Sequence, residues 1–203
     1  MSRFLVAVLM SLMSSAAMAK PPVIIVLGDS ISAGYGIKED QGWVALLQAK
    51  LAEAHSNYSI SNESISGDTS AGGLARIDQI LAAQKPTVLL LELGANDGLR
   101  GLSPVAMKNN LAEITRRARQ AGSKVLLLGM KIPPNYGKRY IELFYKVYPQ
   151  LSQELGVPLV PFILEDVALD KALMQADGLH PNELAQPFIA DKIASYLFPL
   201  LNN

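Results

Sequence analysis

The sequence predicts an α/β protein: a three-layer α/β/α arrangement in which helices cover both faces of a five-stranded parallel sheet, with strand order 2-1-3-4-5. Three observations lead there. Five short apolar runs alternate with stretches of helical periodicity. A chain of 203 residues, half of them apolar and without internal repeat or linker, fits one domain with a sizeable core. Polar, Gly-rich clusters follow four of the five runs, where a parallel sheet presents its ligand-binding edge.

The first stretch stands apart from this pattern. Arg3 is followed by an apolar run from Phe4 to Met13 and then by small residues ending in Ala17-Met18-Ala19, the three-part layout of a secretory signal peptide cut after Ala19. A buried first helix or a membrane anchor is the competing reading, but the run is shorter than the ~20 residues a span requires. The expectation is a signal peptide over 1–19, a single domain over 20–203, a periplasmic or secreted location, and no stable membrane insertion once the signal is removed.

The strands are expected at 23–27, 58–62, 87–93, 124–129 and 158–161. Trp43, Leu47, Leu51 and Ala54 share one face of a first helix, and Leu74, Ile77 and Leu81 share one face of a second that Pro86 closes. In the third, Ser103 suits the N-cap, Pro104 suits N1, and Met107, Leu111, Ile114 and Ala118 form the apolar stripe. A fourth covers 139–155. A fifth begins at Pro181 and carries Leu184, Phe188, Ile189, Ile193 and Leu197. Pro149 and Pro187 interrupt these last two and are expected to kink or restart them.

Composition excludes several chemistries. There is no cysteine, which removes thiol nucleophiles, disulfides and every Cys-based metal site. The two histidines, His55 and His180, are far apart in sequence, so a zinc centre built on closely spaced histidines is disfavoured, and no metal or cofactor is expected. Arg3 is the one charged residue in 1–19, so the remainder carries 17 basic and 18 acidic residues. That balance gives no electrostatic footprint for nucleic acid. Arg116, Arg117 and Arg119 fall on the second half of a helix, where cations face the negative end of its dipole. The expected partner is a small-molecule substrate, and the expected state is a monomer.

What remains is concentrated in the loops after the strands. Gly28-Asp29-Ser30 follows the first, Ser64 to Thr69 the second, Gly94-Ala95-Asn96-Asp97-Gly98 the third, and Asp177 to His180 the fifth. Four such clusters at successive strand ends converge on one edge. Ser30 needs a base to act as a nucleophile. His180 is the better placed of the two histidines, with Asp177 near enough to hold its Nδ1 proton and turn Nε2 toward Ser30, as in a Ser-His-Asp hydrolase. A capping Asp beside a surface His is the bland alternative. His55 ends a surface helix, where a cation suits the C-terminus.

Acyl transfer also needs oxyanion donors. Ser30 and Gly67 can offer backbone N–H groups and Asn96 its amide. Taken singly, Gly67 could equally serve a left-handed turn and Asn96 a loop backbone. Asp29, Asp68 and Asp97 read as carboxylates that brace their loops. Ile65, Leu99, Leu102 and the segment Ile132-Pro133-Pro134-Asn135-Tyr136, with Pro134 and Tyr136 foremost, are the expected wall for an acyl chain, in a shallow groove without a lid-sized insertion. A periplasmic small-molecule binding protein on a similar sheet is the alternative from another class, though it leaves Asp177 and His180 unexplained.

These motifs together resemble the SGNH, or GDSL-type, hydrolase family. Gly28-Asp29-Ser30, Gly67, Gly94-x-Asn96-Asp97 and Asp177-x-x-His180 match its four blocks, with Ile31 where leucine is common. The resemblance implies the flavodoxin-like fold of that family, with Ser30, Asp177 and His180 as catalytic residues and Ser30, Gly67 and Asn96 as the oxyanion hole. Further matches at Gly67-Asp68-Thr69-Ser70, Leu91-Glu92-Leu93-Gly94, Asn135-Tyr136-Gly137 and Gln186 to Asp191 are similar to its bacterial periplasmic thioesterases, lysophospholipases and arylesterases. That subgroup implies acyl thioesters, aryl esters and lysophospholipids as substrates. A carbohydrate O-acetylesterase of the same family is the alternative.

Overall fold

The computed structural model describes residues 21–202; the expected signal segment at 1–19 lies outside the described residues. Five parallel strands form one sheet: β1 (Val23–Gly28), β2 (Ser59–Asn62), β3 (Val88–Glu92), β4 (Lys124–Leu128) and β5 (Leu159–Val160). Their order is β2-β1-β3-β4-β5, as the sequence predicts. Seven helices accompany them: α1 (Ser30–Ala33), α2 (Trp43–Glu53), α3 (Ser70–Gln84), α4 (Ala95–Leu99), α5 (Pro104–Gln120), α6 (Lys138–Leu155) and α7 (Gln186–Leu201).

Chain direction across the sheet reverses at β1, because β2 lies on one side of it and β3 on the other. Right-handed crossovers then send α2 to one face and α3, α5 and α6 to the opposite one. Accordingly α2 packs with α7, while α3 packs with α5 and α5 with α6. Covered on both faces, the central strands are apolar through their middles: Ile24 to Leu27, Val88 to Leu91 and Val125 to Leu128 are all buried. Trp43 and Phe144 are the largest fully buried side chains, one in each helical layer. Truncating either to alanine would cost about 3–5 kcal/mol.

Side-chain caps fix the starts of two of the long helices. The Ser103 side chain accepts from Ala106 N at 3.3 Å with Pro104 in the first turn of α5, and Thr69 accepts from Gly72 N at 3.2 Å at the start of α3. Two expectations are corrected. The last helix begins at Gln186 rather than Pro181, because Pro181 is held in a β-bridge to Met174 and Asn182 caps a short 3₁₀ turn over Glu183–Ala185. Pro187 therefore sits in the first turn of α7, where its missing N–H costs nothing. Pro149 does not divide α6, which continues through it while Phe144, Val147, Tyr148 and Leu151 bury the surrounding turns.

α1 and α4, read from sequence as loops, are single-turn helices that start directly after β1 and β3. They turn Ser30 and Asn96 into rigid positions at the strand ends. The third contributor is the long excursion 161–181 after β5, which contains no regular element besides the Met174–Pro181 bridge. It is pinned by Gln175, whose N–H donates to His180 O at 2.8 Å and whose amide donates to Tyr35 O at 2.7 Å and Pro181 O at 3.1 Å.

Candidate active site

Ser30 opens α1, and the turn beneath it depends on Gly28. A Cβ on Gly28 would come within 2.6 Å of Glu92 Oε2 and 2.7 Å of Ser32 Oγ, so no larger residue fits this approach of β1 to β3. Asp29 caps the turn, accepting from Ile31 N at 3.1 Å. Across the cleft, His180 Nε2 lies 2.8 Å from Ser30 Oγ, and His180 Nδ1 lies 2.6 Å from Asp177 Oδ2. Asp177 Oδ1 accepts from Leu179 N at 2.9 Å and His180 N at 3.0 Å.

This arrangement sets the proton positions. The His180 ring bond and then the His180 backbone N–H, joined by the weaker Leu179 N–H, lower the Asp177 pKa to about 2 against the opposing effect of burial. An ionised carboxylate only accepts, so Nδ1 of His180 carries the hydrogen and Nε2 is left to accept from the Ser30 hydroxyl. The Tyr35 ring, 4.6 Å from the imidazole, flanks His180 on its other side. Asp, His and Ser thus form one hydrogen-bonded chain that can draw a proton from Ser30.

Gly67 sits on the neighbouring loop at φ +82°, in a turn closed by Asp68 N to Ile65 O at 3.0 Å. That left-handed conformation at the third turn position is the one glycine adopts without strain. The loop is tied to β1 by Ile65 N to Gly28 O at 3.1 Å and to the end of α4 by Arg100 Nη2 to Gly67 O at 2.7 Å. Among the described residues Gly67 N–H meets no acceptor. The Asn96 amide donates one hydrogen to Asp29 Oδ2 at 3.0 Å, which leaves its second hydrogen available to a ligand.

Asp68 and Asp97 brace the same edge. Asp68 accepts from Thr69 N at 2.9 Å and pairs with Arg76 at 2.8 Å, and Asp97 takes both Ser70 N at 2.8 Å and Ser70 Oγ at 2.6 Å. His55 is exposed beyond the end of α2 and takes no part.

A strand-end serine is thus hydrogen-bonded to an Asp-supported histidine, beside a Gly loop and an Asn. Residues 26–186 match the model of the GDSL-like Lipase/Acylhydrolase family. The chain belongs to that family. It is 51% identical over 183 residues to Esterase TesA of Pseudomonas aeruginosa, covering 90% of this chain and 91% of that one. It is 45% identical over 200 residues to Thioesterase 1/protease 1/lysophospholipase L1 of Escherichia coli, covering 98% and 93%. The crystal structure of the psychrotrophic esterase EstA from Pseudoalteromonas sp., inhibited by monoethylphosphonate, superimposes with a TM-score of 0.85 at 42% identity, covering 89% of this chain and 99% of that one.

In this GDSL-like hydrolase a cavity of about 230 Å³ opens at Ser30, Asn96 and His180. Its apolar wall is built from Ile31, Leu99, Met130, Ile132, Leu164 and Leu179. Of the expected acyl-binding residues, Leu99, Ile132 and Pro133 line this cavity, whereas Ile65, Leu102, Pro134 and Tyr136 do not. The reason is a pair of tyrosine ties: Tyr136 donates to Leu99 O at 2.9 Å and Tyr140 to Leu102 O at 2.7 Å, which lash the 134–140 segment to the end of α4 as a brace. Ile65 lies exposed on the Gly67 turn. A second hollow of about 640 Å³ shares Lys131 and Leu164 with the first and extends along Phe162, Ala168 and Leu169.

Sequence reasoning missed Glu92, which is fully buried at the end of β3 beneath Ser30. Its signal was available: a lone acid in the otherwise apolar run Val88 to Leu93. Tyr35 and Gln175, which hold the His180 loop, carried no comparable signal.

Proposed function

We propose that this hydrolase cleaves carboxylic esters and thioesters through an acyl group carried on Ser30. The observation that carries the reading is the unbroken chain from Asp177 to His180 to Ser30, at 2.6 and 2.8 Å, with a cavity of apolar walls in front of it. Ser30 Oγ attacks the substrate carbonyl carbon while His180 Nε2 takes its proton. Asp177 stabilises the resulting imidazolium. The negative oxygen of the tetrahedral intermediate is met by the N–H groups of Ser30 and Gly67 and the amide of Asn96. As the C–O or C–S bond breaks, His180 returns the proton to the leaving alkoxide or thiolate. Water then attacks the acyl-Ser30 ester by the same route in reverse, releasing a carboxylic acid and restoring the serine.

The substrate classes follow from the relatives and the cavity. An esterase and a thioesterase/lysophospholipase stand among them. The apolar wall suits an acyl chain, which passes Leu164 into the adjoining hollow when it is long. Aryl esters fit the same shallow seat. We also propose export by the segment 1–19; among the described residues no helix is long and apolar enough to cross a membrane. Purified protein from a periplasmic fraction should begin at Lys20.

The test is hydrolysis of a series of acyl esters and thioesters by the wild type and Ser30→Ala. The expected outcome is turnover across chain lengths by the wild type and its loss by roughly 10⁶-fold in the variant, with the fold retained. Turnover by Ser30→Ala would contradict the mechanism, and turnover confined to acetyl groups would indicate an O-acetylesterase instead.

A further inference from the structure

Two buried carboxyl groups lie side by side under the Ser30 turn, and the hydrolytic cycle accounts for neither. Asp29 is 1% exposed and Glu92 0%. Glu92 Oε2 accepts from Asp29 N at 3.1 Å and Ser32 Oγ at 2.7 Å, but Glu92 Oε1 is buried with no hydrogen-bond partner. An ionised Glu92 would leave that oxygen unsatisfied, at a loss large for a charged group. A protonated Oε1 becomes a donor, and Asp29 is the neighbouring negative charge. Asp29 is built as the anion of the two: Oδ1 takes the Ile31 N–H and Oδ2 the Asn96 amide.

We infer that Asp29 and Glu92 hold a single proton at neutral pH, resident on Glu92, and that the pair positions the Asn96 amide and the Ser30 turn for oxyanion binding. The inference rests on the roles given above to Ser30 and Asn96. Two like charges this deeply buried and this close disfavour each other's ionisation. A neutral Glu92 also spares the oxyanion a second negative charge behind it. Burial, and then the charge on Asp29, push the Glu92 carboxyl well above the usual range. Burial raises Asp29 to about 6, opposed by the Ile31 N–H, by His180 and by Asn96.

The groups that face the pair are His180 from the 161–181 excursion and Tyr148 from α6, whose phenol is raised first by burial and further by the acidic groups around it, Glu92, Asp29 and Asp97 on α4. No lysine or arginine acts on either carboxyl among the described residues. When a second proton reaches Asp29 under acid, Asn96 loses its charged acceptor. The consequence falls on kcat more than on KM, because the lost alignment matters to the transition state.

The direct test is the infrared spectrum of protein carrying ¹³C-labelled glutamate carboxyls, at neutral to mildly alkaline pH. A protonated-carboxyl C=O stretch above the amide I band is expected, shifted by the label and absent from Glu92→Gln. Its absence from the wild type would overturn the proposal. In kinetics, Glu92→Gln reproduces an acceptor and a donor and should keep kcat within about threefold, while Glu92→Ala loses roughly tenfold or more in kcat at nearly constant KM. A folded Glu92→Gln that falls as far as Glu92→Ala would contradict the positioning role. The infrared band is read without turnover, so it stands or falls independently of the Ser30 mechanism, which Ser30→Ala decides.

Discussion

Asp177 and Asp29 serve the same serine from two regions built on opposite principles. Asp177 lies on an irregular excursion with its side chain 39% exposed, and hydrogen bonds from His180 hold its pKa down to about 2. Asp29 lies on the floor between β1 and β3, where burial lifts its pKa to about 6. Outside, a carboxylate keeps its charge across the working range and, in the proposed mechanism, supports a histidine that gains and loses a proton each cycle. Inside, a carboxylate exerts a strong local field on Asn96, at the cost of titrating near neutrality. Proton handling is assigned to the accessible region and alignment to the buried one.

The comparison can be broken first from the outer side. Asp177→Asn should lower kcat by about 10⁴ while leaving the Ser30 hydroxyl in place, because an amide can donate to Nδ1 and favour the wrong tautomer. A loss of only a few-fold would show that His180 needs no carboxylate. On the inner side, Asn96→Ala removes one oxyanion donor and should cost about 10²–10³ in kcat with KM little changed. Steady-state kinetics on one ester checks both.

A smaller effect is expected at Arg100, whose Nη2 holds the Gly67 carbonyl from an exposed position. Arg100→Ala should reduce kcat by roughly three- to tenfold, the range of one charge-assisted hydrogen bond near the surface. A change in KM alone would mean that Arg100 touches substrate rather than the loop.

The smallest effects are in stability, and they have opposite signs. The Asp177 pKa is depressed in the fold, so its contribution is present above the unfolded value of about 4 and is lost as pH falls toward about 2. The Asp29 pKa is raised, so the folded state takes up a proton between about 6 and about 4, and stability declines as pH rises through that window. Asp177→Asn should flatten the acid side of a melting-temperature profile, and Asp29→Asn should flatten the slope between about 4 and 6. Profiles that change in the same sense would refute the contrast.

Much of this was legible in the sequence for physical reasons. Apolar strands must be buried on both faces, so polar residues such as Ser30, Asn96 and His180 stand out where those strands end. With no cysteine and two histidines, the base was nearly fixed by elimination. The walls of the cavity were legible only in part, at Leu99, Ile132 and Pro133. Whether Tyr136 faces a substrate or donates to Leu99 O depends on loop geometry that no periodicity encodes, and Ile65 turned outward for the same reason. Glu92 was hidden differently: an acid inside an apolar strand reads as an exception until its neighbours Asp29 and Ser32 are brought beside it.

In the proposed mechanism Ser30 alone is activated by the outer region and served by the inner one. Intact-mass analysis and peptide mapping after treatment with an aryl alkylphosphonate tests it most directly, with Asp177→Asn and Asn96→Ala treated in parallel. One phosphonyl group per chain, mapped to Ser30 and formed far more slowly in both variants, is the predicted result. Labelling at another residue, or equal labelling rates in all three proteins, would contradict it.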